Sequence, residues 1–292
     1  MSLGLMILGG KHPPISVKVL SWRISGLKIM LSFNSLGNLG RLGNQMFQYA
    51  SLKGIAANRG LEITIPPRRF FGEADENVAN SDVTIYESFK ISGFNTGLAN
   101  QRKVSESTFG FDEELFNTCE DNVDLIGYFQ NEKYFEGIED QIRKEFTFKS
   151  ETLDPCREFV SQFDELISLH IRRGDYTVNV NHPVQPMEYY AEALKLLPKT
   201  DVIVFSDDPD WCHEQELFSD DRFIVAEGNS SDADMCLMSL CQYHIIANSS
   251  FSWWGSYLAK SQKTIAPKLW FGDELSRTKD WTTIYRDGWV VL

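Results

Sequence analysis

An alternation in the second half of the chain constrains its fold most. The apolar runs ELISLHI (165–171), DVIVFS (201–206), RFIVA (222–226), HIIAN (244–248) and KTIAP (263–267) have strand length. Helical patterns lie between or beside them, over 186–197, 209–218, 233–243 and 252–260. Strands alternating with helices of that length imply a doubly wound parallel sheet whose ligand loops follow the carboxyl ends of the strands. The first half opens the same way. KIMLSF (28–33) reads as a buried strand, and it runs into SLGNLGRLGNQ, where Gly37, Gly40 and Gly43 fall every third residue. Met46, Tyr49, Leu52 and Ala56 then recur at helical spacing, Gly60 stands where a helix should end, and LEITI (61–65) reads as a second strand. No period is legible from 66 to 122. Asn131 is placed to cap a helix carrying Phe135, Ile138 and Ile142, and the polar stretch 147–154 before Pro155 reads as a boundary. The expectation is an α/β chain with an extension over 1–27 and two Rossmann-like domains over 28–152 and 153–292, a division that suits 292 residues.

Charge and reactive side chains narrow the function. With 28 Lys plus Arg against 41 Asp plus Glu, the net charge is −13, and a phosphate backbone would repel the chain. Nucleic-acid binding is therefore excluded, and clustered basic residues carry more information than usual. The five cysteines (Cys119, Cys156, Cys212, Cys236, Cys241) are odd in number and form no CxxC pair, which fits a reducing compartment. Five scattered histidines show no metal-ligand spacing. Residues 1–10 are apolar but too few to span a bilayer, and Lys11 and His12 interrupt the run. A soluble, cytoplasmic protein without an integral membrane segment is expected, with a peripheral place at the membrane as the alternative if its substrate is lipid-linked. Nothing in the sequence sets its oligomeric state.

The densest chemical signal is His170-Ile171-Arg172-Arg173-Gly174-Asp175, where a strand runs out into a loop. Guanidinium groups bind diphosphate oxygens in bidentate fashion and stay charged at any working pH. Asp175 beside them would stay ionised and able to accept a proton. The plain alternative is a solvated salt-bridge cluster, and for His170 a core histidine. The glycine loop through Gly43, Asn44 and Gln45 lets backbone amides approach an anion or sugar, but it is neither GxGxxG nor a Walker loop. Asp208-Pro209-Asp210 has the DxD form of a metal-binding glycosyltransferase motif, yet Asp before Pro is also an N-cap, and capping is the favoured reading. Asp207 stays available to a ligand. Asp232 and Asp234 open a helix as caps, or as acceptors for a guanine ring. Ser249, Ser250 and Ser252 surround a helix start suited to phosphate, while Trp253 and Trp254 read as core. Asn229 and Asn248 match the N-glycosylation pattern by chance.

Together GRLGNQMFQYA (40–50), GYFQNEKYF (127–135), HIRRGDY (170–176), FSDDPDWC (205–212), ANSSFSWWGSYLA (247–259) and TIAPKLWF (264–271) resemble the alpha-1,2-fucosyltransferases, glycosyltransferase family 11. Order and spacing agree over roughly 28–272. HxRRxD alone is shared by several fucosyltransferase groups; NQMFQYA and SSFSWWG narrow the match. The resemblance implies a GT-B fold of two facing Rossmann-like domains, a GDP-β-L-fucose donor, no obligatory metal and no other cofactor. It further implies inverting displacement onto the 2-hydroxyl of a glycan acceptor, by class a β-galactoside. Arg172 then holds the diphosphate, supported by Arg173 and His170, and Asp207, Asp234, Ser250 and Ser252 fall at the nucleotide. Asp175 is the candidate general base, weakened by its arginine neighbours; a base near Asn44 and Gln45, or no strong base, is the alternative. The chain departs from the family in its long lead-in before the first strand, in SLGNLGRLGNQ where GGLGNQ is usual, and in lacking the N-terminal anchor of vertebrate members. Competing readings are a metal-dependent transferase using Asp208 and Asp210, a different fucosyl linkage, and a binding protein without turnover.

Overall fold

A computed structural model describes residues 30–67, 83–94 and 101–292; the extension assigned to 1–27 lies outside them. The first half holds a four-stranded sheet. β1 (Met30–Ser32), β2 (Glu62–Thr64), β3 (Arg102–Val104) and β4 (Val123–Leu125) pair in parallel in the order β2-β1-β4-β3. Its helices are α1 (Leu42–Arg59), α2 (Ile85–Ser88), α3 (Glu113–Thr118), α4 (Glu139–Glu145) and α5 (Ser150–Val160). The second half holds β5 (Leu166–Ile171), β6 (Asp201–Ser206), β7 (Phe223–Val225), β8 (Tyr243–Ile245), β9 (Lys263–Ala266) and β10 (Val290–Val291). They form a parallel sheet in the order β10-β9-β8-β5-β6-β7, crossed by α6 (Met187–Lys195), α7 (Pro209–His213), α8 (Ser231–Leu240) and α9 (Ser250–Leu258), with α10 (Asp273–Thr278) near the end. The architecture is α/β with two Rossmann-like sheets, as the alternation implies.

The departures from the sequence reading have local causes. α1 begins at Leu42, so Gly43, Asn44 and Gln45 form its first turn instead of a loop, and Gly60 closes it in the left-handed conformation at φ 66°. Asn131 does cap, accepting from the Lys133 amide at 3.0 Å, but two 3₁₀ turns, over Glu132–Tyr134 and Glu136–Ile138, follow before α4 starts at Glu139. The helix expected over 209–218 breaks after α7 because Gln215 is extended, and a 3₁₀ turn occupies Glu216–Phe218. The polar stretch before Pro155 belongs largely to α5, a helix with Pro155 inside it. β3, β4 and β10 have two or three residues each, too few for a periodic signal.

The halves are joined by an aromatic seam. Phe47 of α1 lies 4.6 Å from the Trp253 ring and 5.0 Å from that of Trp254, and Phe135 stacks on Trp254 at 5.5 Å. All four are essentially buried, which places the two tryptophans in the core. Burying aromatic area of this size is worth several kcal/mol by the usual ~25 cal/mol per Å². Gly43 permits the approach: a Cβ there would sit 2.7 Å from the Phe251 amide nitrogen. The starts of α1 and α9 thus meet, and the strand ends of both sheets open above them.

Candidate active site

A cleft of about 450 Å³ lies between the two sheets. On the second sheet Ile171 pairs with Ser206, so the residues that follow, Arg172 and Asp207, leave neighbouring strands side by side. Arg172 Nη1 meets Asp207 Oδ2 at 2.8 Å, and its Nη2 pairs with Asp175. The guanidinium also lies 5.2 Å from the Tyr176 ring centre and is largely buried. Asp207 is held in turn, its Oδ1 accepting from the Arg173 amide at 2.8 Å. A Cβ on Gly174, whose φ is +21°, would fall 2.3 Å from Asp207 Oδ2, so the glycine makes room for the carboxylate.

Behind Arg172, the His170 ring shares a hydrogen bond of 2.9 Å with Ser252 Oγ through Nδ1. Burial, aided by the Arg172 charge, pushes its pKa down to about 3, so the imidazole is neutral at working pH. Asp234 accepts from Asn229 Nδ2 at 2.9 Å at the rim. Asn44 ties the halves together: its Oδ1 accepts from Ser250 Oγ at 2.8 Å and from Gln130 Nε2 at 2.7 Å.

Most of the residues singled out in the sequence meet here. Arg172, Asp175, His170, Asp207, Asp234, Ser250, Gly43 and Asn44 all line the cleft. Three do not. Arg173 turns away, its Nε donating to Asp208 Oδ2 at 2.9 Å and its guanidinium 3.9 Å from the Trp211 ring. Gln45 is buried, donating to the Gly40 carbonyl at 2.7 Å and accepting from the Ile85 amide. Ser252 is buried behind His170. Asp208 caps α7 through the Trp211 amide, as its place before Pro209 implies. Among the described residues no three His, Cys, Asp or Glu side chains are grouped to hold a metal ion. Asn248 is buried, donating to the Pro183 and Trp270 carbonyls.

The sequence profile of Glycosyl transferase family 11 matches residues 24–292. The chain belongs to that family. An alpha-1,2-colitosyltransferase of Escherichia coli is 34% identical, with 80% of this chain and 91% of that protein covered. The O-antigen biosynthesis glycosyltransferase WbnK of Escherichia coli is 32% identical over 61% of this chain and 65% of its own length. Galactoside alpha-(1,2)-fucosyltransferase 2 of Bos taurus is 25% identical, covering 80% and 70%. Among solved structures, the fucosyltransferase NodZ from Bradyrhizobium shares the fold at a TM-score of 0.53 and 14% identity, covering 80% of this chain and 94% of its own.

This family 11 cleft also contains groups that the sequence reading passed over. Arg41, at the N-cap of α1, faces the cleft with a buried Nε that has no hydrogen-bond partner. Glu106, Tyr128 and Gln130 come from the ends of β3 and β4, and His182 stacks on Tyr176 at 5.0 Å. Arg41 sits inside a motif read for its glycines and for Asn44 and Gln45. Glu106 lies in the stretch with no legible period, where only its place after a strand could have pointed to it.

Proposed function

We propose that this family 11 enzyme transfers L-fucose from GDP-β-L-fucose to the 2-hydroxyl of a β-galactoside, with inversion, in the cytoplasmic synthesis of a surface glycan. Arg172 carries the reading. It is a cation held rigidly at a strand end of an α/β sheet, in a cleft sized for a small ligand. The acceptor oxygen attacks the anomeric carbon from the face opposite GDP, and Arg172 stabilises the charge growing on the departing diphosphate. Asp207 keeps the guanidinium aimed, while Asp175 yields its place on Arg172 to the incoming phosphate. Arg41 adds a second cation from the start of α1.

We propose that no metal is needed. The support is that Asp208 of the DxD-like segment is committed to Arg173 and to the cap of α7, while the arginines supply positive charge. The five buried, unpaired cysteines support a cytoplasmic location. The kinship with a colitosyltransferase makes colitose the competing donor sugar. The test is GDP release from GDP-fucose and GDP-colitose across a panel of β-galactosides in excess EDTA, with the product linkage read by NMR. Release from GDP-fucose that survives EDTA and yields an α-1,2 linkage is the expected result. Release lost in EDTA, or another linkage, would overturn the corresponding part.

A further inference from the structure

We propose that Glu106 is the catalytic base of this transfer, taking the proton of the attacking acceptor hydroxyl from the wall opposite Arg172. The proposal rests on the glycosyl-transfer reading above. In an inverting displacement the nucleophile approaches from the side away from the leaving group, so its base belongs across the cleft from the diphosphate. Glu106 stands there, two residues beyond β3 on the first sheet, and it lines the cleft.

The other carboxylates of the cleft are engaged. Asp175 pairs with Arg172, Asp207 with Arg172 and the Arg173 amide, and Asp234 accepts from Asn229. Among the described residues Glu106 makes no ion pair. Its Oε1 accepts from the Tyr128 and Phe129 amides at 2.9 and 2.8 Å, which fixes the side chain to the loop after β4. Its Oε2 is buried and has no partner. One oxygen therefore anchors the group while the other remains to receive a proton, with no competing hydrogen bond to break. Phe109, Tyr128 and Phe271 also line the cleft, and such aromatic surfaces suit the apolar face of a sugar ring.

His182 is the rival, since its Nδ1 is also buried and unpartnered. It packs beside Tyr176 on the Arg172 wall, and burial lowers its pKa, with the Asp175 charge opposing the shift and the Arg172 charge adding to it. Taking a proton would create a charge in a buried place. For Glu106 the same event removes a buried charge. Burial pushes its carboxyl up to about 7, with the charge of Asp112 acting in the same direction. The two backbone amides and Lys279 pull the other way, and the neighbouring Tyr134 hydroxyl takes a hydrogen bond from the Asp112 amide. A base poised near neutrality is the kind that transfers protons most effectively.

The step balances. The acceptor O–H proton passes to Glu106 Oε2 as the acceptor oxygen bonds to the anomeric carbon. The bond from that carbon to the diphosphate oxygen breaks and its electron pair leaves with GDP. Glu106 then returns the proton to solvent.

The test compares wild type, Glu106→Gln and His182→Asn in acceptor-dependent GDP release from pH 5 to 9, beside GDP binding and thermal melting. Glutamine can still accept the two backbone amides, so the loop stays anchored. The expected Glu106→Gln enzyme binds GDP like wild type, transfers on the order of 10²–10⁴-fold more slowly, and loses the acid limb of its kcat/KM profile. A Glu106→Gln enzyme within a few-fold of wild type, or one that keeps the acid limb in its residual activity, would overturn the proposal. So would an acid limb that vanishes only in His182→Asn. Wild-type enzyme that transfers from no GDP-sugar would instead sink the glycosyl-transfer reading itself.

Discussion

The two walls of the cleft are built by one device and finished differently. On the second sheet, adjacent parallel strands β5 and β6 deliver Arg172 and Asp207 together, and the charges neutralise each other there. On the first sheet, β3 and β4 are paired with Val104 opposite Leu125, so Glu106 and the Gly127–Gln130 loop emerge side by side. There the partner of the carboxylate is a pair of backbone amides, and one oxygen is left over. Arg41, from the same half, is likewise unpartnered at Nε. On one wall the charged groups are paired with one another before a ligand arrives, whereas on the other a carboxylate oxygen and a guanidinium nitrogen stay without a partner among the described residues. Groups left unsatisfied in a buried place cost stability, and function is the common reason to keep them.

Breaking the paired wall should have the largest effect. Arg172→Ala removes the cation proposed to hold the leaving group and strands Asp207 and Asp175, so transfer should fall by at least ~10³-fold and the melting temperature should drop as well. Arg41→Ala sharpens the contrast: it should slow transfer by about 10-fold or more while leaving the melting temperature unchanged or raised, because no partner is abandoned. A melting temperature that falls as far as in Arg172→Ala would erase the distinction between the walls. The seam beneath them is tested by Phe47→Ala, which should cost about 3–5 kcal/mol in urea unfolding through the cavity left among the Trp253, Trp254 and Phe135 rings.

The walls should also answer pH with opposite signs. His170 is held neutral in the fold with its pKa near 3, below the ordinary 6.5. Its contribution to stability is intact above pH 6.5 and declines as the pH falls towards 3, since only the unfolded chain takes the proton. Glu106 is held near 7, above the ordinary 4.5. Its contribution is present below 4.5 and is lost as the pH rises through 7. Glu106→Gln should accordingly be about 1–3 kcal/mol more stable than wild type at pH 8 and no more stable at pH 4, as read from urea midpoints at the two values.

Much of the paired wall was legible in the sequence because its residues crowd into one strand-to-loop junction. Arg172, Asp175 and Asp207 follow runs of six apolar-rich residues whose ends are easy to place. Asp208 was legible as a cap because Asp before Pro has a direct local meaning, and Trp253 and Trp254 as core from their setting in an apolar helix. The other wall was not legible, since β3 and β4 are three residues each and Glu106 comes from a stretch with no period. Gln45 and Ser252 read as ligand groups because loops and helix starts bind ligands. Their burial depends on contacts with Gly40, Ile85 and His170 that no local pattern encodes.

The division of labour between the walls can be measured most directly by titrating GDP calorimetrically into wild type, Arg172→Ala and Glu106→Gln. GDP affinity is expected to collapse in Arg172→Ala and to match wild type in Glu106→Gln, the variant that is expected to lose transfer. Undiminished GDP binding by Arg172→Ala, or a comparable loss in both variants, would contradict that division.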